Sequence, residues 1–158
     1  MSAQNSRVSF QDFTKSAPDL YAGMLSLGKA ISESGLEAVL LELIKIRASQ
    51  INSCAFCLQL HLNAARKLGM PIEKLDLVAV WREAGIFSAR EMAALAWTEE
   101  LTILKAQGAS DEVWATLCDN FSEKEAIFLT AAIGTINNWN RIGASLRFAP
   151  PIAREGDA

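Results

Sequence analysis

Residues 36–69 read LEAVLLELIKIRASQINSCAFCLQLHLNAARKLG, and the fold follows from the change of pattern halfway along them. From Leu36 to Gln50 the stretch is apolar nearly all round, through Leu36, Val39, Leu40, Leu41, Leu43, Ile44 and Ile46. That pattern predicts a helix covered on most faces and central to the fold. Asn52-Ser53 interrupts it and supplies an N-cap for the next helix. That second helix is expected from about Cys54 to Leu68, with Gly69 as its stop and Pro71 beyond.

Working outward, the remaining segments are helical too. Pro18 can open a helix through Tyr21, Met24, Leu25, Leu27 and Gly28, ending near the Ser32–Gly35 break. Glu73 to Ala84 reads as a further helix, ended by Gly85. Ser88-Ala89-Arg90-Glu91 and Ser122-Glu123-Lys124-Glu125 have the form of capping boxes. The first opens a helix to about Ala106, before Gly108. The second opens a long one towards Phe148, ended by Pro150-Pro151, with a short helix from Asp111 to Asp119 between them. No alternating strand, repeat or long linker stands out, so the expected fold class is all-α. The expected organisation is one domain over 1–158, with its core at about 20–150 and a loose tail from 151.

Composition narrows the function. The chain has 51% hydrophobic and 21% charged residues and a net charge of −3, as in a globular protein. Its 15 basic and 18 acidic residues form no block of one sign, so no nucleic-acid partner is expected. No apolar run reaches about 18 residues, and MSAQNSRVSFQDF has no apolar signal-peptide core. A cytoplasmic protein with no membrane partner is expected, and structural disulfides are rare in that compartment. Two of the three cysteines nonetheless sit in Cys54-Ala55-Phe56-Cys57, and the only histidine, His61, comes four residues later. A Cys-x-x-Cys pair in that setting points to redox or metal chemistry. Cys118, among Trp114, Leu117 and Phe121, reads as a buried small hydrophobe.

With Ser53 as N-cap, Cys54 falls in the first helical turn and Cys57 at its end. Two thiols at this spacing can close a short disulfide. The helix N-terminus favours thiolate, and simple dipole reasoning favours it at Cys54. His61 is i+4 from Cys57 and i+7 from Cys54, on the same face, where an imidazole can take a thiol proton. Glu42 is the candidate carboxylate behind it. Glu42 can equally pair with Lys45 on a solvated stripe. Trp81, Trp97, Trp114 and Trp139 occupy core-like helical positions. The polar run Asn137-Asn138-Trp139-Asn140-Arg141 reads as a solvated or contact face, or else as hydrogen bonding near the thiols.

The stretch from Glu42 to His61 has a Glu, eleven intervening residues, then Cys-x-x-Cys-x-x-x-His. It resembles the signature of the AhpD-like alkylhydroperoxidases of the carboxymuconolactone decarboxylase superfamily. Trp81-Arg82-Glu83, Ala94-Leu95-Ala96-Trp97-Thr98-Glu99, Phe121-Ser122-Glu123 and Ile136-Asn137-Asn138-Trp139-Asn140-Arg141 resemble its short single-domain members, so the likeness runs from about Leu20 to Pro150. The resemblance implies an AhpD-like helical domain assembling into trimers or hexamers. It also implies a cofactor-free thiol peroxidase. In that cycle Cys57 attacks an organic hydroperoxide, Cys54 resolves the sulfenic acid as a disulfide, and His61 with Glu42 moves the protons. A dithiol protein or a small thiol would be the reductant. The larger AhpD peroxidases carry a histidine immediately before the second cysteine. Here Phe56 stands there, which removes one proton carrier. The superfamily's lactone decarboxylases lack the cysteine pair. Three other readings stay open: a thiol–disulfide exchange protein, a non-catalytic redox sensor, and a metal module using Cys54, Cys57, His61 and Glu42.

Overall fold

The computed structural model describes residues 6–152. From residue 153 onward the expected loose tail lies outside the described residues. Nine α-helices are found among them: α1 Phe10–Ser16, α2 Pro18–Ser32, α3 Ala38–Ile51, α4 Ala55–Lys67, α5 Ile72–Leu77, α6 Trp81–Ala84, α7 Ala89–Thr102, α8 Asp111–Cys118 and α9 Glu123–Leu146. Among the described residues there is no strand, only an isolated bridge between Lys105 and Gly108. None of these helices is long and apolar enough to cross a membrane.

The all-round apolar helix is central, as its pattern requires. α3 packs against α4, α7 and α9. Leu43, Ile44, Ile46 and Ala48 have no exposed surface. One core lies on the Leu40, Leu41 and Ile44 side, against Trp97, Leu117, Leu129 and Ile133. The other lies on the Leu43 and Ile46 side, against Ala65, Val78, Trp81 and Leu95. A smaller cluster at the C-terminal end of α3 joins Ala48, Cys54, Cys57 and Ile136. The thiols therefore sit where α3, α4 and α9 meet.

Both capping boxes form as expected. Ser88 and Ser122 accept from the Glu91 and Glu125 N–H groups, and each glutamate reaches back to the N-cap backbone. Three elements differ from the sequence reading. α1 has no counterpart in it; Ser9 caps this helix by accepting from Asp12 N–H at 3.0 Å, and Phe13 is buried beneath it. The helix placed at Glu73–Ala84 is broken by a 3₁₀ turn at Val78–Val80, where β-branched side chains weaken the α conformation. That break lets the Trp81 indole N–H reach Glu99 at 2.9 Å, alongside Arg47 and Arg82. Burial pushes the Glu99 carboxyl up, but these donors outweigh it and hold it below the ordinary value. Finally, α7 stops at Thr102 rather than near Ala106, because Ile103 leaves the helical conformation and the chain turns at Gly108 (φ +85°).

Arg90 ties three elements together at the other end of the domain. It bonds both Glu37 oxygens, the Asn120 carbonyl and Glu125, and lies 4.0 Å over the Phe121 ring. Its hydrogen bonds hold Glu37 below the ordinary carboxylate value. The Ser122 backbone N–H and then Arg90 bring Glu125 to about 2. Carboxyls depressed in the fold stabilise it above their unfolded value and lose that contribution as pH falls through the folded one. Solvent screens much of this network, so R90M should destabilise by only about 1–2 kcal/mol at neutral pH. In urea titrations that deficit should shrink as pH drops from about 4.5 towards about 2.

Candidate active site

The site is built on the joint between α3 and α4. The Cys54 N–H donates to the Ser49 carbonyl at 3.1 Å, and the Ser53 N–H donates to the Gln50 carbonyl at 3.2 Å. This is a Schellman closure of α3, with Ser53 in the left-handed conformation (φ +55°) where glycine usually stands. Cys54, not Ser53, is the N-cap of α4: its Sγ accepts from the Cys57 N–H at 3.3 Å. The expected cap is displaced by one residue because Ser53 is used to end the preceding helix. Cys54 thus ends one helix and begins the next, with no freedom between them.

Cys54 and Cys57 are joined as a disulfide, with Cα atoms 5.4 Å apart and surfaces 1% and 3% exposed. In the reduced pair the same Cys57 N–H would stabilise negative charge on the Cys54 sulfur. Cys57 Sγ lies 3.7 Å from the Trp139 carbonyl, an acceptor that suits a thiol proton. Among the described residues no group of three or more His, Cys, Asp or Glu side chains is placed to hold a metal.

His61 and Glu42 meet as the spacing suggested. His61 Nδ1 is 2.7 Å from Glu42 Oε2, and Lys45 Nζ is 2.8 Å from Glu42 Oε1. Glu42 therefore meets both partners, one oxygen for each, but on a buried face rather than on the solvated stripe the Lys45 pairing suggested. Glu42 is buried, which pushes its carboxyl up; its contacts with His61 and then Lys45 outweigh burial and hold it below the ordinary value. A carboxylate only accepts, so Nδ1 carries the hydrogen, and in the neutral imidazole Nε2 is then the lone-pair nitrogen.

Cys57 and His61 open on one cavity of about 200 Å³. Its other walls are Phe10, Tyr21, Leu25, Phe56, Leu60 and Trp139. Phe10 packs on Tyr21, Phe56 and Phe148, and Tyr21 on Trp139, so the lining is a continuous aromatic cluster. Phe56, immediately before Cys57, is part of this wall. On its other side His61 meets a cavity of about 130 Å³ shared with Lys45, Ser32 and Thr135.

The polar run on α9 resolves into two buried and two exposed residues. Asn137 and Asn140 are buried, whereas Asn138 and Arg141 are exposed. Asn140 donates to Ser49 Oγ at 3.0 Å, and the Asn52 amide donates to Asn140 (3.0 Å) and Asn137 (2.8 Å). Asn137 donates to Thr102 Oγ1 and to the Ile133 carbonyl. These bonds clamp the joint to α9, so the hydrogen-bonding reading of this run applies to both buried asparagines. Cys118 corrects the sequence reading: it is exposed, because α8 turns Leu117, not its neighbour, into the core. Trp114 is likewise 40% exposed, while Trp81 and Trp97 are buried. Phe10 also went unnoticed in the sequence, because the expected elements left it outside any helix. Ser49 did too, and Asn52 was read only as part of the cap, since their bonds depend on contacts across the fold.

Two expectations come from the joint. N140A takes the partner from buried Ser49 Oγ and one of the two acceptors from the Asn52 amide, which keeps Asn137, so chemical unfolding should show a loss of about 2–3 kcal/mol. S53G relieves a left-handed serine and should instead raise stability by about 0.5–1 kcal/mol in the same assay.

The sequence profile of the carboxymuconolactone decarboxylase family matches residues 18–100. The uncharacterized protein YdfG of Bacillus subtilis is 33% identical over 140 residues, which is 89% of this chain and 93% of that protein. The crystal structure of ATU0492 from Agrobacterium tumefaciens superimposes with a TM-score of 0.88 at 36% identity, covering 94% of this chain and 100% of that one. ATU0492 is a protein of unknown function described as a candidate antioxidant defence protein AhpD. An AhpD core from Ralstonia eutropha JMP134, an uncharacterized peroxidase-related protein, shares the fold at a TM-score of 0.76 and 21% identity, over 88% of this chain and 74% of that one. With a profile match over more than half its length and relatives spanning most of it, the chain belongs to the carboxymuconolactone decarboxylase family, and its domain is AhpD-like.

Proposed function

We propose that the protein is a thiol-dependent peroxidase that reduces organic hydroperoxides through a Cys54–Cys57 disulfide cycle. One observation carries this reading: Cys57 and His61 open on the same aromatic cavity, and the other nitrogen of His61 is fixed on Glu42. His61 Nε2 takes the Cys57 thiol proton, and the thiolate attacks the outer peroxide oxygen. The O–O bond breaks, Cys57 becomes a sulfenic acid, and the departing alkoxide recovers the proton from His61 as an alcohol. Glu42 steadies the imidazolium between these steps, as a carboxylate behind a histidine does. Cys54 then attacks the Cys57 sulfur, the S–O bond breaks, and the oxygen leaves as water. A dithiol protein or small thiol returns two electrons and two protons. Over the cycle one hydroperoxide and one dithiol give one alcohol, one water and one disulfide.

The cavity supports an organic substrate over hydrogen peroxide, because only an apolar group gains from burial against aromatic walls. The same reading assigns the protein no bound cofactor and a homo-oligomeric state, trimer or hexamer. Leu25 and Leu60, half exposed at the cavity, are apolar surface that such an assembly can cover.

The test is a rapid-mixing thiol count on reduced protein with a small excess of cumene hydroperoxide, followed by peptide mapping. Two thiols should be lost quickly and recovered as the Cys54–Cys57 disulfide. C57S should abolish the reaction, and C54S should stop after one equivalent with a sulfenic acid at Cys57. H61Q should slow Cys57 oxidation roughly 10²-fold and E42Q roughly tenfold. Retained turnover in C57S overturns the assignment, and faster reaction with a protein disulfide than with peroxide replaces it by disulfide exchange.

A further inference from the structure

Gly143 lies within α9, in helical backbone that any residue can adopt. A glycine there costs about 1 kcal/mol of helix stability relative to alanine, so its presence asks for a cause. A Cβ at this position would stand 3.0 Å from Cys54 Sγ and 3.2 Å from Cys57 Sγ, with Phe148 Cδ2 at 3.6 Å. The other glycines among the described residues would meet nothing within 4 Å. Both sulfur contacts fall below the ~3.5–4.0 Å of favourable non-bonded approach.

We propose that Gly143 sets the redox poise of the Cys54–Cys57 pair by leaving the space that the disulfide form occupies. The inference deepens the reading above: it rests on that pair being redox-active, though not on which oxidant it meets. A methyl group at 143 can be tolerated only if the sulfurs give way. In the disulfide they cannot move independently, because they are bonded to each other and Cys54 is locked in the α3–α4 joint. Behind them stand Ala48, Ile136, Phe56 and Trp139. In the dithiol each sulfur has its own χ1 and can turn to another staggered position. The added methyl therefore penalises the disulfide more than the dithiol, and the pair becomes a stronger oxidant. Gly143 is a positioning residue: it touches the sulfurs by what it lacks and takes no part in bond making.

The experiment equilibrates the protein with mixtures of reduced and cyclic oxidised dithiothreitol. Two electrons and two protons pass from each dithiothreitol to the pair, opening the protein disulfide and closing the ring of the reagent. G143A should lower the oxidation constant at least tenfold, which is about 30 mV in potential. G134A, in the same helix with open space around it, should leave the constant unchanged. A G143A constant within twofold of the parent overturns the proposal. Should oxidised G143A fail to fold, the comparison moves to denaturation of G143A in the C54A/C57A background. Alanine should be tolerated there as well as at Gly134, and a large loss of stability would place the clash elsewhere and overturn the inference. Because these readouts involve no peroxide, they stand whether or not C57S abolishes peroxidase turnover.

Discussion

The three-residue joint Asn52-Ser53-Cys54 is the constraint on which the rest of the site depends. Two helices with different jobs share it. α3 is buried on most sides and fixes the domain, whereas α4 carries both sulfurs and the imidazole. Because Cys54 serves as the closing residue of one and the N-cap of the other, the rigidity of the core passes directly to the chemistry. A longer linker would have left the cysteine pair free to rotate relative to Glu42. The cost is a serine held in the left-handed region, one of the two non-glycine residues there among those described. Strain of this kind persists where surrounding contacts over-determine the backbone. Here those contacts are the Asn52, Asn137, Asn140 and Ser49 bonds.

Glu42 shows how a buried charge can be kept in a largely apolar helix. An uncompensated carboxylate facing the core would be neutralised or expelled. Lys45 and His61 each occupy one of its oxygens, so the group stays ionised and directional. The lysine comes from the same helix and the histidine from the next. The pair therefore also records the register between α3 and α4.

Much of this was legible in the sequence, for definite reasons. The apolar periphery of Leu36–Gln50 can only be buried, and the two serine–glutamate boxes mark where α7 and α9 begin. The Glu42, Cys54, Cys57 and His61 grouping was visible because all four lie on two consecutive helices at fixed spacing. The features that escaped are of another kind. The shift of the N-cap from Ser53 to Cys54 depends on how the previous helix terminates, and local pattern gives a serine and a cysteine no such order. The 3₁₀ break before Trp81 is stabilised by an indole bond to Glu99, eighteen residues away. The burial of Asn137 and Asn140 is offset by partners on other helices and at the joint, so polarity alone made that face look solvated. Gly143 carried no signal, since a glycine in an apolar helix is explained only by what packs against it.

The aromatic wall has a consequence for motion. α1 has only seven residues, far too few to hold a helix in water without support. It is kept in place by Phe10 and Phe13 against Phe56, Phe148 and Trp139, and by the Arg7 and Val8 amides on the Leu146 carbonyl. Its unfolding therefore need not involve the main core, and belongs to the low-energy end of the domain's opening spectrum. Yet Phe10 is also a wall of the cavity over Cys57. Solvent access to Cys57 is thus governed by the least self-sufficient helix of the fold, and amide exchange in α1 reports how often that cavity opens.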